Sequence, residues 1–221
     1  MRYAWLSYPV DEKTPLYGTG KGVSCKIERS IAEGDSCNTM KVSFSSHAGT
    51  HLDVPRHFFL KGKTVEKLGA GDLIFNKVSI ITAKNIGEGK GLTDKDIDIG
   101  SIPSGTECLL LKTGFCRRRE KQVYWRNSPY ITAGLAGILR SIRGLKALGI
   151  DFISVGNINN RAEGRQVHKI LLSPGDAGRS ILIIEDMDLR FVKNDINRLY
   201  VFPIRIRNAD GGPCSVAAEI R

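Results

Sequence analysis

What most constrains the fold of this 221-residue chain is the brevity of its apolar runs. The longest uninterrupted stretches are pieces such as Ile181-Leu182-Ile183-Ile184, far short of the roughly 18 residues a membrane-spanning helix needs. Runs this short, bounded by turn formers, read as buried strands. No membrane partner is expected. The N-terminal MRYAWLSYPV lacks the apolar run of a secretory signal, so a cytoplasmic location is the expectation. A chain of this length can bury its own core without disulfides or a structural metal. No repeat, low-complexity tract or linker divides it, and residues 1–221 are expected to form a single domain.

The pattern of elements points to a mixed α/β fold whose first half is mostly β. Residues 23–31 and 38–46 read as a hairpin across Glu33-Gly34-Asp35, with Met40, Val42 and Phe44 alternating against polar neighbours. Further short strands are expected at 78–82, 108–111, 152–155, 181–184, 199–206 and 215–218. Thr132 is a helix N-cap, and Leu135, Ile138, Leu139, Ile142, Leu145 and Leu148 form an apolar stripe that predicts a helix to about Gly149. A shorter helix is predicted from about Glu163–Gln166 through His168 to Leu172, stopped by Pro174-Gly175.

Charge and cysteine content narrow the function classes. The formal balance is +10, with 33 Lys+Arg against 23 Asp+Glu. Local excesses lie at Arg117-Arg118-Arg119, with Lys121 and Arg126 nearby, and between Arg190 and Arg207. Neither carries stacking aromatics in a nucleic-acid motif, so both read as solvated basic surface, and no nucleic-acid partner is expected. The alternative from a different class is a basic nucleic-acid-binding protein whose metal is merely structural. Five scattered cysteines without a C-x-x-C pair argue against both a disulfide framework and a thiolate zinc site.

The chemically informative stretch is Ser46-His47-Ala48-Gly49-Thr50-His51-Leu52-Asp53-Val54-Pro55-Arg56-His57-Phe58. Three of the chain's four histidines and an aspartate fall within it, a density that suits a metal site built from imidazole nitrogen and carboxylate oxygen. Gly49 and Pro55 argue against a regular helix. In an extended segment the odd-numbered His47, His51, Asp53 and His57 tend to one side, with a turn still needed to converge them.

The run H-x-G-T-H-x-D-x-P-x-H resembles the metal-dependent cyclase/hydrolase superfamily, which includes bacterial kynurenine formamidase (arylformamidase) and isatin hydrolase. Support comes from Leu6-Ser7 with Thr14-Pro15-Leu16-Tyr17, from residues 148–154, from Val167-His168-Lys169-Ile170-Leu171-Leu172, from Ile183-Ile184-Glu185, and from residues 202–213. The likeness covers nearly the whole chain. It implies a swivelling β/β/α type fold, a site near a subunit interface, and a homodimer or homotetramer. It also implies two divalent ions, zinc first and manganese second. His47 and His51 would hold one, His168 the other, with Asp53 and Glu185 bridging; His57 would be the proton donor and acceptor.

The function so implied is amide hydrolysis, with N-formylkynurenine giving kynurenine plus formate in tryptophan catabolism by the kynurenine pathway. A cyclic amide such as isatin, or another reaction of the family, is the alternative. The substrate expected is a small aromatic amide. Tyr17 stands where the resemblance puts a substrate-stacking tryptophan, and Phe58 follows the motif, so both are candidate substrate-binding residues. One departure is Val155-Gly156-Asn157, where the family commonly has an acid; it bears on the substrate more than on the metal site.

Overall fold

The computed structural model describes residues 2–18, 22–175, 179–193 and 196–220. Its first strands are β1 (Arg2–Trp5), β2 (Ser24–Arg29), β3 (Thr39–Ser43), β4 (His51–Asp53), β5 (Ile74–Phe75), β6 (Val78–Thr82) and β7 (Gly91–Leu92). The second half contributes β8 (Cys108–Lys112), β9 (Tyr130–Ile131), β10 (Ala147–Ile150), β11 (Leu182–Glu185), β12 (Ile196–Pro203) and β13 (Gly211–Ile220). The helices are α1 (Val123–Arg126), α2 (Ala133–Ser141) and α3 (Arg161–Leu172).

The architecture is mixed α/β, as the sequence pattern suggests. A central sheet runs in the order β5-β12-β13-β4-β11-β10-β8-β6, with β1 added to β13. The strands β6, β8, β10 and β11 run parallel to one another, while β4 joins β11 and β13 antiparallel. Alternate residues of the parallel strands feed two separate cores. Leu110, Ala147, Leu182 and Ile184 face a layer built with β4, β12 and β13. Leu109, Leu111, Leu148, Ile150 and Ile183 face the layer that holds α2 and α3. Burial on both faces explains why these strands read as continuous apolar runs.

The hairpin of β2 and β3 forms as expected, but most of it stands clear of both cores, with Ile27, Met40 and Val42 exposed. The helix beginning at Thr132 is shorter than its apolar stripe. Thr132 Oγ1 does accept from the Leu135 N–H, but α2 ends at Ser141, and Gly144 at φ +93° turns the chain into β10. Leu148 therefore lies on a strand. An apolar run buried on both faces carries no period that separates strand from helix. No strand forms at the expected 152–155: β10 ends at Ile150, and 152–155 is a buried irregular segment that follows it. The closing strands β12 and β13 are longer than the expected 199–206 and 215–218 or offset from them.

Candidate active site

The histidine-rich segment is extended only where it must enter the sheet. Gly49 adopts φ +62°, and an added Cβ would lie 3.2 Å from Thr14 Cγ2, so this tight turn favours glycine. Its carbonyl accepts a 2.8 Å hydrogen bond from His51 Nδ1. Thr50 Oγ1 donates to the Asp186 carbonyl at 2.6 Å and accepts from the Tyr8 N–H, pinning the turn from below. In β4, His51 and Asp53 point to one side and Leu52, fully buried, to the other. Val54 is extended ahead of Pro55, which opens the single 3-10 turn 55–57 that carries His57.

Strand pairing then supplies the remaining groups. Glu185 on β11 lies directly across from His51, and Gly211 on β13 directly across from Asp53. The Val155 N–H donates to Glu185 Oε1 at 2.7 Å. His168 comes from α3, whose N-cap Asn160 accepts from the Glu163 N–H. Its Nδ1 donates to the Gly164 carbonyl at 2.7 Å. The helix lies close here because neither Gly156 nor Gly164 has a side chain: a Cβ on Gly164 would sit 3.2 Å from Gly156 Cα.

All five expected metal-ligating residues, and His57, line one cavity of about 440 Å³. His51 Nε2 lies 3.3 Å from Asp53 Oδ1 and 3.4 Å from Glu185 Oε2, and His168 Nε2 lies 3.6 Å from Asp53 Oδ2 and from Glu185 Oε1. Two carboxylates buried together demand positive charge between them. Burial disfavours the charged forms, but mutual hydrogen bonds win: Asp53 is held well below the carboxylate range and His51 well above the imidazole range. Burial and the neighbouring Asp53 charge push Glu185 up, yet the imidazoles of His168 and His51 hold it at about 2.

His47 and His57 sit on the outer side of this cluster. His47 Nδ1 donates to Asp53 Oδ1 at 2.8 Å and its Nε2 to Asp210 Oδ2 at 2.9 Å. Burial opposes the cationic ring, but Asp53 and Asp210 raise its pKa to about 9. Asp210 Oδ2 also accepts from His57 Nδ1 at 2.9 Å, and Asp210 Oδ1 accepts from Ser46 Oγ at 3.0 Å. Sequence reasoning did not find Asp210. It lies 163 positions from His47, and only the pairing of Gly211 with Asp53 brings it here.

Tyr17 and Phe58 line the same cavity. The Phe58 ring stacks on His168 at 4.9 Å and meets His57 edge-on at 4.6 Å. Arg161 and Arg165 complete the mouth, two residues the sequence did not single out. The basic run at 117–119 lies outside the cavity lining and is not wholly a solvated surface. Arg117 and Arg118 are exposed, but the Arg119 side chain, 14% exposed, holds Asp186 through Nε and Nη2 while Tyr124 Oη donates to the same carboxylate. The guanidinium also covers the Tyr8 ring. A buried aspartate left by β11 required a cation, and Arg119 is within reach. Of the second basic stretch, residues 194 and 195 lie outside the described residues.

A family model described as "Putative cyclase" matches residues 5–157. The chain belongs to the cyclase family. Among its cyclase-family relatives is the kynurenine formamidase of Bacillus cereus (strain ATCC 14579), 28% identical over 216 residues, covering 98% of this chain and 95% of the relative. Isatin hydrolase A from Labrenzia aggregata has a similar structure, with a TM-score of 0.82 at 19% identity over 99% of this chain and 93% of that one. A structure described as a predicted metal-dependent hydrolase from Bacillus stearothermophilus gives 0.74 at 21% identity, covering 98% and 97%.

The cyclase-family cluster suits a divalent metal on four counts. Its donors are neutral-capable imidazole and carboxylate, the set that zinc and manganese accept. Two groups have ligand atoms within 4.8 Å of one another, His47-Asp53-His57 and His51-Asp53-Glu185, and Asp53 belongs to both. The Nδ1 hydrogen bonds of His51 and His168 to backbone carbonyls leave each Nε2 facing the carboxylates, the arrangement in which a metal-bound imidazole is oriented from behind. The Nε2-to-carboxylate separations of 3.3–3.6 Å also approximate the spacing of two donors on one tetrahedral ion, about 3.3–3.4 Å for bonds of about 2.0–2.1 Å.

Among the described residues no helix is long and apolar enough to cross a membrane.

Proposed function

We propose that this chain is a metal-dependent amide hydrolase acting on an aryl formamide of the N-formylkynurenine kind, releasing formate and the free arylamine. The observation that carries this reading is the convergence of His51, His168, Asp53 and Glu185 on one buried point, with His57 beside it in the same cavity. Residues 1–221 act as one catalytic domain in this reading. His47, His51, Asp53, His168 and Glu185 hold two divalent ions, zinc first and manganese as the alternative. Such ions, when bound, polarise a carbonyl and lower the pKa of water towards neutrality.

The protein's own groups do the rest. A carboxylate can only accept, so Asp210 fixes the proton of neutral His57 on Nδ1. His57 Nε2 is then free to take a proton from the attacking water. Water oxygen bonds to the formyl carbon, the C–N bond breaks, and His57 returns that proton to the departing nitrogen. Asp210 also stands behind His47 Nε2 and would steady that ring as one of the residues holding an ion. Burial and the Glu185 charge push the Tyr17 hydroxyl up to about 12, against Arg161, so it stays a neutral donor at the cavity wall. Phe58 offers the ring a substrate aryl group can meet.

The isatin alternative is favoured by the likeness to isatin hydrolase A and by Val155-Gly156-Asn157 in place of an acid. A turnover panel of N-formylkynurenine, formanilide and isatin decides between them. Preferred release of formate from the formamides supports the reading, and preferred ring opening of isatin overturns it. The expected homodimer or homotetramer has a surface to use in the β2–β3 hairpin, where Ile27 and Met40 are 64% and 56% exposed.

A further inference from the structure

Resting on the hydrolase reading above, we propose that Arg161 and Arg165 form a carboxylate-reading clamp at the mouth of the cavity, selecting anionic amide substrates. Residues 161, 164, 165 and 168 fall on one face of α3, and all four line the cavity. Gly164 lets this face approach Gly156 closely, and His168 sits at its inner end against Asp53 and Glu185. At about 1.5 Å of rise per residue, Arg165 stands about 4.5 Å and Arg161 about 10.5 Å along the axis from His168. The two guanidiniums therefore cover one to two helical turns outward from the reacting centre.

Neither guanidinium is spoken for. Among the described residues, Arg119, Arg118 and Arg190 each hold a carboxylate, whereas no ion pair or hydrogen bond engages the side chain of Arg161 or Arg165. Both are exposed at the mouth, while the acids of the cavity, Asp53 and Glu185, are buried deep among the histidines. Tyr17 lies close enough to Arg161 for the guanidinium to act on its hydroxyl. An aromatic wall with two unpaired guanidiniums beyond it matches a substrate whose aryl amide lies inside and whose carboxylate reaches outward. Guanidinium and carboxylate match in planar, bidentate geometry. The amino-acid carboxylate of N-formylkynurenine is such a group; formanilide and isatin have none.

The test uses two isosteric pairs on the zinc-loaded protein. The first is N-formylkynurenine against its α-carboxamide, read as turnover. The second is kynurenine against its α-carboxamide, read as binding by titration calorimetry. Wild type is expected to favour the carboxylate about tenfold in kcat/KM, chiefly through KM, and similarly in Kd. The Arg161→Gln/Arg165→Gln double variant brings both ratios close to one. Arg143→Gln, which removes an exposed charge outside the cavity lining, leaves the ratios intact and so separates the clamp from the general field of the +10 chain. Ratios near one in wild type, or ratios that survive in the double variant, overturn the clamp. Equal turnover of both amides does so while leaving the hydrolase reading standing. If neither amide turns over but kynurenine keeps an arginine-dependent advantage in binding, the clamp stands and the hydrolase reading falls.

Discussion

Replacing Asp210 with asparagine tests the feature of the site that the sequence concealed. The carboxylate accepts from His57 Nδ1 and His47 Nε2 at 2.9 Å each and from Ser46 Oγ at 3.0 Å. An asparagine keeps the shape and one acceptor oxygen but removes the charge. A hydrogen bond to a charged group contributes about 1.5–3 kcal/mol and a neutral one about 0.5–1.5 kcal/mol. The Asp210 side chain is 38% exposed, so solvent screening trims the difference for the pair of bonds to about 1–2 kcal/mol. Expressed in the proton-transfer step, that is about a 5–30-fold fall in kcat/KM. Formate release by zinc-loaded Asp210→Asn, with metal content measured on the same sample, separates loss of proton transfer from loss of metal. A kcat/KM within about twofold of wild type at equal metal content would refute the dyad of Asp210 and His57.

Three other outcomes follow from the same geometry. In Gly211→Ala the added Cβ sits 2.7 Å from His47 Cε1 and 2.9 Å from the Leu52 carbonyl, so thermal unfolding should show a loss of about 1–3 kcal/mol and metal occupancy should fall; unchanged occupancy would contradict the close fit. Arg119→Ala leaves Asp186 buried with only the Tyr124 hydroxyl and should lower stability in denaturant by about 3 kcal/mol, the lower end for a broken buried pair. A solvated Arg119 would give almost no change. Sedimentation velocity should show a dimer or larger, shifted towards monomer by Met40→Lys on the exposed hairpin face; a wild-type monomer at high concentration would remove the assembly.

How much of this was legible in the sequence depended on distance along the chain. His47, His51, Asp53 and His57 are neighbours in sequence, and their density alone announces imidazole and carboxylate chemistry. His168 and Glu185 became readable only through the family resemblance, because a lone histidine on a helix and an acid after an apolar strand have ordinary explanations. Asp210 had no local signal at all; cross-strand pairing of β13 with β4 places it. Arg119 was misread because charge runs are judged by composition, whereas its partner Asp186 is set by the end of β11. The α2 boundary failed for a different reason: Leu145 and Leu148 continue the helical spacing by coincidence, and only the turn at Gly144 and the parallel pairing of β10 with β8 and β11 reassign them.

The most direct test of the account is to strip the protein with a chelator, titrate zinc back, and follow formate release from N-formylkynurenine against bound metal. No turnover is expected in the stripped protein, with a rise on occupancy that saturates when the His/Asp/Glu cluster is filled. Turnover that ignores the metal, or none at full occupancy, would contradict it.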